Sequence, residues 1–216
     1  MKDIVIVGAG GFGREVAWLI EDINKKEDFW NILGYIDDNA SNHGKVLNNV
    51  EILGGFQWLE ENPKREEIHF VCAVGNPITK ELLVRKCDNL GLKPATLIHP
   101  SVIMSNYNTI GEGSIICAGN IITVNVEIGN HVIINLDCTI GHDAVIKDYC
   151  TILPSVNVSG NTLIERLSEI GTGTQIIQGI KIGEETIVGA GAAVVKDLPG
   201  KCTAVGIPAK VIKASN

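Results

Sequence analysis

An aliphatic residue recurs at every sixth position in the second half of the sequence, and this period constrains the fold more than any other feature. From residue 98 to residue 194, all 17 positions in this phase carry Ile, Val or Met. A small side chain mostly follows four residues later, and Gly recurs one residue later. An unrelated sheet protein rich in Ile would favour a period of two. The period of six is typical of a parallel β-helix, in which about three such units close one triangular coil.

The coil geometry assigns a place to each residue of the repeat. The large aliphatic side chain points into the prism, the small side chain fits beside it, and Gly relieves the backbone at the turns. Successive coils stack as neighbouring strands about 4.8 Å apart. The phase does not shift between residues 98 and 194, so we expect no long loop to interrupt the stack.

The first part of the chain follows other packing rules. Eight of the ten aromatic residues precede residue 71. Strand-like runs and helical patterns alternate there, at residues 3–7, 14–23, 32–36, 68–74 and 80–91. Such β-α-β alternation predicts a small parallel sheet flanked by helices. We therefore predict a small Rossmann-like α/β domain over residues 1–95, followed by a parallel β-helix over residues 96–216.

Composition and charge exclude several classes of protein. The formal net charge of −7 provides no basic field that would hold nucleic acid. No run of about 18 apolar residues occurs, which excludes a membrane span, and the apolar run before the first glycines is too short for a signal peptide. The six cysteines show no CxxC spacing and predict reduced thiols. We expect a cytoplasmic protein without a nucleic-acid partner.

The segment GAGGFG, residues 8–13, fits the pattern GxGxxG between a strand and a helix. Such a loop offers backbone N–H groups to phosphates, and Asp37, 24 residues beyond Gly13, is placed to hold a ribose hydroxyl. Taken alone, the pattern fits NAD at least as well as a nucleotide sugar. However, about 95 residues make only half of a full dinucleotide fold, and no second substrate domain follows. Gly75-Asn76 faces the same crevice, although a structural turn explains Gly75 equally well.

Several local motifs follow one another along nearly the whole chain, namely VGAGGFGRE, YIDD, AVGN, IHPS, NLDCTIGHD, GAGAAVVKD and VGIPAK. Together with the repeat, they resemble the bacterial sugar acyltransferases, which include sialic acid O-acetyltransferases and the N-acetyltransferases of UDP-4-amino sugars and GDP-perosamine. The resemblance implies a left-handed parallel β-helix, against the general preference of parallel crossovers for the right hand. It also implies a homotrimer with active sites between neighbouring β-helices, and acetyl-CoA as the co-substrate.

His142 lies two residues past a core position, where a side chain can leave the prism at a corner, and Asp143 follows it. A neighbouring carboxylate raises the basicity of an imidazole and fixes its orientation, and acyl transfer to an amine or hydroxyl needs such a base. From spacing alone, a solvent-facing histidine beside a chance aspartate is an equally good interpretation. The resemblance aligns this pair with the family's histidine and acid, and so implies His142 as general base and Asp143 as its tuner.

Gly160 lies one coil after His142, so its backbone is expected to sit about one strand spacing above the imidazole. A glycine there lets a thioester approach and can direct its N–H at the developing oxyanion. The resemblance points to the same role. The alternative is a plain turn glycine.

The resemblance also implies residues that bind the two substrates. Asn135 corresponds to the family's active-site Asn and is expected to position the substrate or the acetyl group. The expected acetyl-CoA contacts are Thr151, where some relatives carry His, Thr172, Ala190 and Lys210, which is otherwise simply solvated. The expected contacts to the uridine diphosphate of a nucleotide sugar are Gly10, Gly11, Phe12, Asp37, Asp38, Gly75 and Asn76.

These motifs predict an acetyl-CoA-dependent N-acetyltransferase that acts on a UDP-linked amino sugar in surface glycan biosynthesis. O-acetylation of sialic acid or a related sugar is the nearest alternative, because the same residues serve either acceptor. No histidine pair lies five residues apart, as the trimeric carbonic anhydrases of this fold would require, so we expect no metal. An NAD-dependent oxidoreductase and a non-catalytic nucleotide-sugar scaffold remain as further alternatives.

Overall fold

A computed structural model describes residues 1–214 of the chain. The chain divides into two compact units, the first covering residues 1–99 and the second beginning at residue 100. The division expected from the sequence falls after residue 95. Within the described residues, no helix is both long enough and apolar enough to cross a bilayer.

The first unit is built on a six-stranded sheet with helices. Its elements are β1 (Lys2–Val7), α1 (Gly11–Asn24), β2 (Trp30–Ile36), a 3₁₀ turn (Ala40–Asn42), β3 (Val46–Leu47), β4 (Val50–Gly54), α2 (Phe56–Glu61), a second 3₁₀ turn (Arg65–Glu67), β5 (His69–Cys72), α3 (Pro77–Asn89), β6 (Lys93–Pro94) and β7 (Leu97–Ile98). The strand order is β3-β4-β2-β1-β5-β6, with only the β3–β4 pair antiparallel. Ile4, Val5 and Ile6 of the central strand are fully buried, as expected of a parallel strand that is covered on both faces.

The helix α3 begins three residues earlier than the apolar pattern predicts. Oδ1 of Asn76 accepts a hydrogen bond from the N–H of Thr79 at 2.9 Å, and Pro77 occupies the first turn. An Asn cap followed by Pro is a strong helix start, because the side chain satisfies a free N–H and Pro has none to satisfy. The cap therefore decides where the helix starts.

The second unit winds two-residue strands into a triangular prism. The first face contains β8 (Ile103–Met104), β11 (Ile121–Ile122), β14 (Thr139–Ile140), β17 (Asn157–Val158), β20 (Gln175–Ile176) and β23 (Ala193–Val194). The second face contains β9 (Thr109–Ile110), β12 (Glu127–Ile128), β15 (Val145–Ile146), β18 (Leu163–Ile164) and β21 (Lys181–Ile182). The third face contains β10 (Ile115–Ile116), β13 (Ile133–Ile134), β16 (Thr151–Ile152), β19 (Glu169–Ile170), β22 (Ile187–Val188), β24 (Cys202–Val205) and β25 (Lys210–Ala214).

The stacking register is 18 residues, as the sequence period predicts. Ile122 pairs in parallel with Ile140, and Ile140 pairs with Val158. From residue 116 to residue 194, the aliphatic side chains at every sixth position are at most 3% exposed, so they fill the prism. Met104 and Ile110 are only half-buried, because the first coil has a neighbouring coil of the repeat on one side only.

The corners of the prism require a special backbone conformation. Every sixth residue from Gly113 to Gly191 has a positive φ. At one edge of the prism these residues are Asn125, Asp143 and Asn161 in successive coils, with φ of 56°, 58° and 55°. The left-handed region favours Gly, Asn and Asp, which explains the recurrence of these types outside the core positions.

Candidate active site

The glycine loop joins the end of β1 to the start of α1. Gly8 has a φ of +103°, which L side chains rarely adopt. A side chain at Gly13 would overlap the carbonyl oxygen of Gly8, so α1 packs directly against the loop. In contrast, a Cβ on Gly10 would meet nothing within 4 Å, and one on Gly11 would meet only Nη2 of Arg14 at 3.9 Å. The loop thus leaves open space at the N-terminus of a helix, where the sequence analysis places the phosphates.

Asp37 connects the end of β2 to this loop. Its Oδ2 accepts a hydrogen bond from the N–H of Ala9 at 3.1 Å, and its Oδ1 accepts one from the N–H of Asn39 at 2.9 Å. Both carboxylate oxygens are therefore engaged by the backbone, although each retains a further lone pair for a ligand. The structure gives Asp37 a role in shaping the loop, in addition to the ribose contact predicted for it.

The other residues predicted to bind the nucleotide follow β1, β2 and β5 at the same edge of the sheet. Asp38 is exposed, with Oδ2 3.7 Å from Nζ of Lys86. Phe12 is half-buried. Gly75 has open space where a Cβ would be, and Asn76 uses its Oδ1 to cap α3. The structure brings these residues to one edge, and their contacts with a nucleotide stay a prediction.

A surface cavity of about 380 Å³ adjoins the glycine loop and is lined by Gly11, Arg14, Glu15, Trp18 and Asn48. The indole of Trp18 is 47% exposed. Sequence reasoning did not single out Arg14 or Trp18, because it used the helical pattern only to find the buried side. The signal that could have identified them was a cationic side chain in the first turn of α1 followed one turn later by an aromatic side chain. Cationic side chains bind phosphates, and aromatic side chains stack on planar rings.

The histidine corner is the edge between the first and second faces, and it carries His142, Asp143 and Gly160. Nδ1 of His142 lies 2.7 Å from Oδ2 of Asp143. This hydrogen bond, with a second one from Asn125, lowers the pKa of Asp143 below its ordinary value. Because an ionised carboxylate only accepts, Nδ1 donates, and Nε2 of the neutral ring carries the free lone pair. The corner therefore presents a base to solvent.

The backbone of Gly160 lies against the imidazole of His142. A Cβ added to Gly160 would lie 2.6 Å from Cε1 and Nε2 of the ring, so the ring occupies space that only a glycine leaves free. Within residues 1–214, the N–H of Gly160 donates no hydrogen bond. This donor is uncommitted and lies beside the atom that carries the lone pair.

The asparagine corner is the edge between the third and first faces, and it carries Asn135, Thr172 and Ala190. Asn135 is 8% exposed. Its Oδ1 accepts a hydrogen bond from the N–H of Leu136 at 2.7 Å, and its backbone oxygen accepts one from Nδ2 of Asn120 at 2.8 Å. Thr172 and Ala190 are exposed at equivalent positions of successive coils, so they form one column along this edge.

Two further residues predicted to contact acetyl-CoA lie on the third face. Thr151 in β16 is 1% exposed, so its side chain is buried within the chain. Lys210, the first residue of β25, is exposed. The segment before it runs beside the last strand of the first face, since Ala193 donates to the oxygen of Gly206 at 3.1 Å and accepts from the N–H of Ala209 at 2.8 Å.

A single chain does not bring His142 and Asn135 together. Asn135 follows β13 of the third face, whereas His142 follows β14 of the first face. The two corners are therefore opposite edges of the first face. The predicted base therefore lies at one corner of the prism, and Asn135, Thr172 and Ala190 lie at another.

The cysteines are outside this chemistry. All six are free and buried, and burial raises the pKa of Cys72 and of Cys138 to about 11. A thiol is nucleophilic only when deprotonated, so these two are inert near neutral pH. Among residues 1–214, no group of three or more His, Cys, Asp or Glu side chains is arranged to hold a metal ion.

Comparison with known proteins extends over both units. Residues 3–87 match the family model described as the PglD N-terminal domain. The chain is 31% identical over 219 residues to the GDP-perosamine N-acetyltransferase of Escherichia coli O157:H7, covering 97% of this chain and 96% of that protein. The chain belongs to the bacterial sugar acyltransferase family.

Solved structures resemble this acyltransferase along its whole length. The acetyltransferase domain of PglB from Neisseria gonorrhoeae FA1090 superposes with a TM-score of 0.90 at 31% identity, covering 98% of this chain and all of that one; it is also known in complex with acetyl coenzyme A. PerB from Caulobacter crescentus, in complex with CoA and GDP-perosamine, has a TM-score of 0.89 at 29% identity and covers 99% and 98% of the two chains. The predicted fold class, a Rossmann-like domain followed by a left-handed β-helix, is confirmed, and the chain is an acetyltransferase.

Proposed function

We propose that this acetyltransferase transfers the acetyl group of acetyl-CoA to the amino group of a nucleotide-linked amino sugar, in the biosynthesis of a surface glycan. The relatives support this proposal, because two of them are an N-acetyltransferase of GDP-perosamine and a protein that holds CoA with GDP-perosamine. The observation that carries it is the 2.7 Å contact between Nδ1 of His142 and Oδ2 of Asp143, which leaves Nε2 as a base beside Gly160.

The reaction follows from the protonation state of the histidine corner. Nε2 of His142 accepts a proton from the acceptor's amino group while the nitrogen attacks the carbonyl carbon of the thioester. Asp143 stabilises the imidazolium that forms. When the bond between carbon and sulfur breaks, the imidazolium returns the proton to sulfur, so the products are an amide and the free thiol of CoA.

Gly160 stabilises the negative charge that develops on the carbonyl oxygen. Its N–H is a preorganised donor, and such donors strengthen an acyl-transfer transition state because they need no reorientation during the reaction. The absence of a side chain keeps the approach to Nε2 open. A backbone donor and an imidazole lone pair on adjacent coils are the two groups that the reaction requires from the enzyme.

A complete site takes residues from two chains. His142 and Asn135 lie on opposite edges of the first face, so one prism cannot close both around one thioester. A cyclic trimer would place the histidine corner of one chain against the asparagine corner of the next, in a heterologous contact that closes into a ring. In such a trimer the column of Thr172 and Ala190 would meet the pantetheine arm.

Mixing two inactive variants tests this shared site. We expect His142→Ala and Asn135→Ala each to abolish most activity, and the co-expressed variants to regain about one quarter of it, because one interface in four then has both residues. A site built within one chain would give no gain on mixing.

The acceptor is tested with a panel of UDP-, GDP- and dTDP-linked 4-amino sugars and free sialic acid. Thiol release from acetyl-CoA should occur with an amino-sugar nucleotide and fall by at least about 10²-fold in His142→Ala. The motifs favour a uridine nucleotide and the relatives favour guanosine, and the panel separates the two. Release with sialic acid alone would replace the proposal by O-acetylation at the same site.

We also place the enzyme in the cytoplasm. The free state of all six cysteines supports this location, since buried thiols persist in reducing compartments.

A further inference from the structure

We propose that Asn125 is a positioning residue, which holds the carboxylate of Asp143 so that it faces Nδ1 of His142. The inference rests on the proposed function, in which His142 is the base. Asn125 lies one coil before Asp143, and its side chain contacts neither the imidazole nor Gly160 by any hydrogen bond within residues 1–214. Its effect on the reaction would therefore pass entirely through Asp143.

The two oxygens of Asp143 are divided between two partners. Oδ2 lies 2.7 Å from Nδ1 of His142, and Oδ1 accepts a hydrogen bond from Nδ2 of Asn125 at 3.2 Å. The side chain of Asp143 is 46% exposed, and the terminal torsion of a carboxylate is broad, so packing alone sets this torsion only loosely. A second hydrogen bond on the other oxygen fixes the plane of the carboxylate and with it the plane of the imidazole.

Within residues 1–214, no other charged group competes for this carboxylate. The groups that lower the pKa of Asp143 are His142 first and Asn125 second, with no contribution from a lysine or arginine. Within the described chain, the orientation of Asp143 thus depends on these two neighbours. Losing the donor on Asn125 would leave water as the remaining partner of Oδ1.

The turn at the corner offers a competing explanation for Asn125. Asn125, Asp143 and Asn161 are equivalent residues of successive coils, all in the left-handed conformation that favours Asn. Asn161 has that conformation, yet within the described residues its side chain makes no hydrogen bond. The left-handed turn alone therefore accounts for Asn161. Asn125 occupies the same kind of turn and, in addition, donates a hydrogen bond to Asp143.

The two explanations differ in what happens to the proton on the ring. While Asp143 is held, the neutral imidazole carries its proton on Nδ1 and leaves Nε2 free beside Gly160. When Asp143 is released, a larger share of the rings carries the proton on Nε2 and cannot act as a base. The loss should lower kcat and leave the KM for both substrates unchanged, since Asn125 is not among the residues predicted to bind either of them.

Asn125→Gly tests this assignment, because Gly accepts the left-handed backbone and removes only the side chain. In the ¹⁵N-labelled protein, ring nitrogen spectra should show a lower Nδ1–H population for His142, with kcat reduced about three- to tenfold. Asn125→Asp keeps the shape but faces Asp143 with a like charge, so we expect a change in the same direction and of larger size. Asn161→Gly is the matched control and should change neither the tautomer nor kcat.

The assignment is overturned if Asn125→Gly leaves the ring spectrum as in the wild type, or if Asn161→Gly alters it as much. If the wild type acetylates no acceptor of the panel, the proposed function fails, and the ring spectra still decide the role of Asn125 on their own.

Discussion

The imidazole of His142 and the backbone of Gly160 are in direct contact across adjacent coils: a Cβ on Gly160 would lie 2.6 Å from Cε1 and Nε2. In Gly160→Ala the ring must move away, because the backbone of a stacked strand cannot. Misplacing a base by about 1 Å can cost about 10²-fold in rate, so we expect a loss of that order in kcat/KM, measured by thiol release. The thermal midpoint of unfolding should change little, because the half-exposed side chain of His142 can rotate towards solvent.

Gln178→Ala provides the control, since residue 178 is the next member of the same column and is exposed. It should retain wild-type activity. Full activity in Gly160→Ala would show that the ring does not need its present position.

Asn120 is a polar residue inside the prism, at a position where other coils carry small side chains. It is fully buried, its Nδ2 donates to the oxygens of Cys117 and Asn135 at 2.7 and 2.8 Å, and its Oδ1 accepts from the N–H of Cys138 at 3.0 Å. Asn120→Val removes all three of these hydrogen bonds from the core. We expect the free energy of unfolding to fall by about 2–4 kcal/mol, measured from the urea midpoint.

Thr174→Val is the comparison at an equivalent position. It removes a single buried hydroxyl, which donates to Gly171 at 2.7 Å, and should cost about 1 kcal/mol. Equal losses in the two variants would contradict the assignment of three hydrogen bonds to Asn120.

Asp22 anchors the end of the first unit through the side chains of Lys25 at 2.6 Å and His99 at 3.0 Å. The hydrogen bonds from Lys25 and then His99 lower the pKa of Asp22. A carboxylate with a lowered folded pKa stabilises the fold above its unfolded pKa of about 3.9, and this contribution disappears as the pH falls through the folded value. Asp22→Asn should therefore lower stability at pH 7 by up to about 1 kcal/mol, and the difference should disappear as the pH falls through the lowered pKa of Asp22.

Tryptophan fluorescence measures this effect in the intact chain, because all three tryptophans precede residue 59. Lys25→Met removes the exposed partner and keeps His99, so it should show a smaller difference. A pH-independent difference between Asp22→Asn and wild type would mean that the variant acts through packing.

The buried cysteines give a prediction with a practical use. Because all six are buried and the pKa of Cys72 and of Cys138 is raised to about 11, the native enzyme should not react with a disulfide reagent at pH 8. In guanidinium chloride all six should react. Rapid native labelling would contradict the burial and would also spoil the thiol-release assay, which uses the same reagent.

The sequence was sufficient for the core of the β-helix, because burial at a fixed period leaves a direct mark on residue type. It was silent on handedness, since a period of six is the same for either hand, and the resemblance supplied that property. The spacing also predicted the contact between Gly160 and His142, because these residues are 18 positions apart in the sequence and so lie on adjacent coils. Residues at the same corner are about 18 positions apart. Asn135 precedes His142 by only seven positions, so it lies at a different corner.

The side chains that the sequence analysis read as ligands were harder to interpret. Asp37 and Asn76 each accept a local hydrogen bond from a backbone N–H group, and short polar side chains serve turns and caps as readily as they serve ligands. The Asn-Pro pair at the start of α3 is a signal for a helix cap that the sequence analysis did not use. Asn125 was missed because its partner lies a full coil away, a distance at which only the register makes the two residues neighbours.

The register of 18 residues makes the core and the active site sensitive to different changes in chain length. An insertion of one hexapeptide between Asn125 and His142 would return every aliphatic residue to the interior, so the prism would still form. It would also move His142 to the next edge of the prism, away from Asn125. An insertion of a whole coil would keep both residues on the same edge, but it would separate them along the axis of the prism. Folding thus constrains this stretch only to multiples of six residues, whereas the hydrogen bond between Asn125 and Asp143 constrains it to a single length.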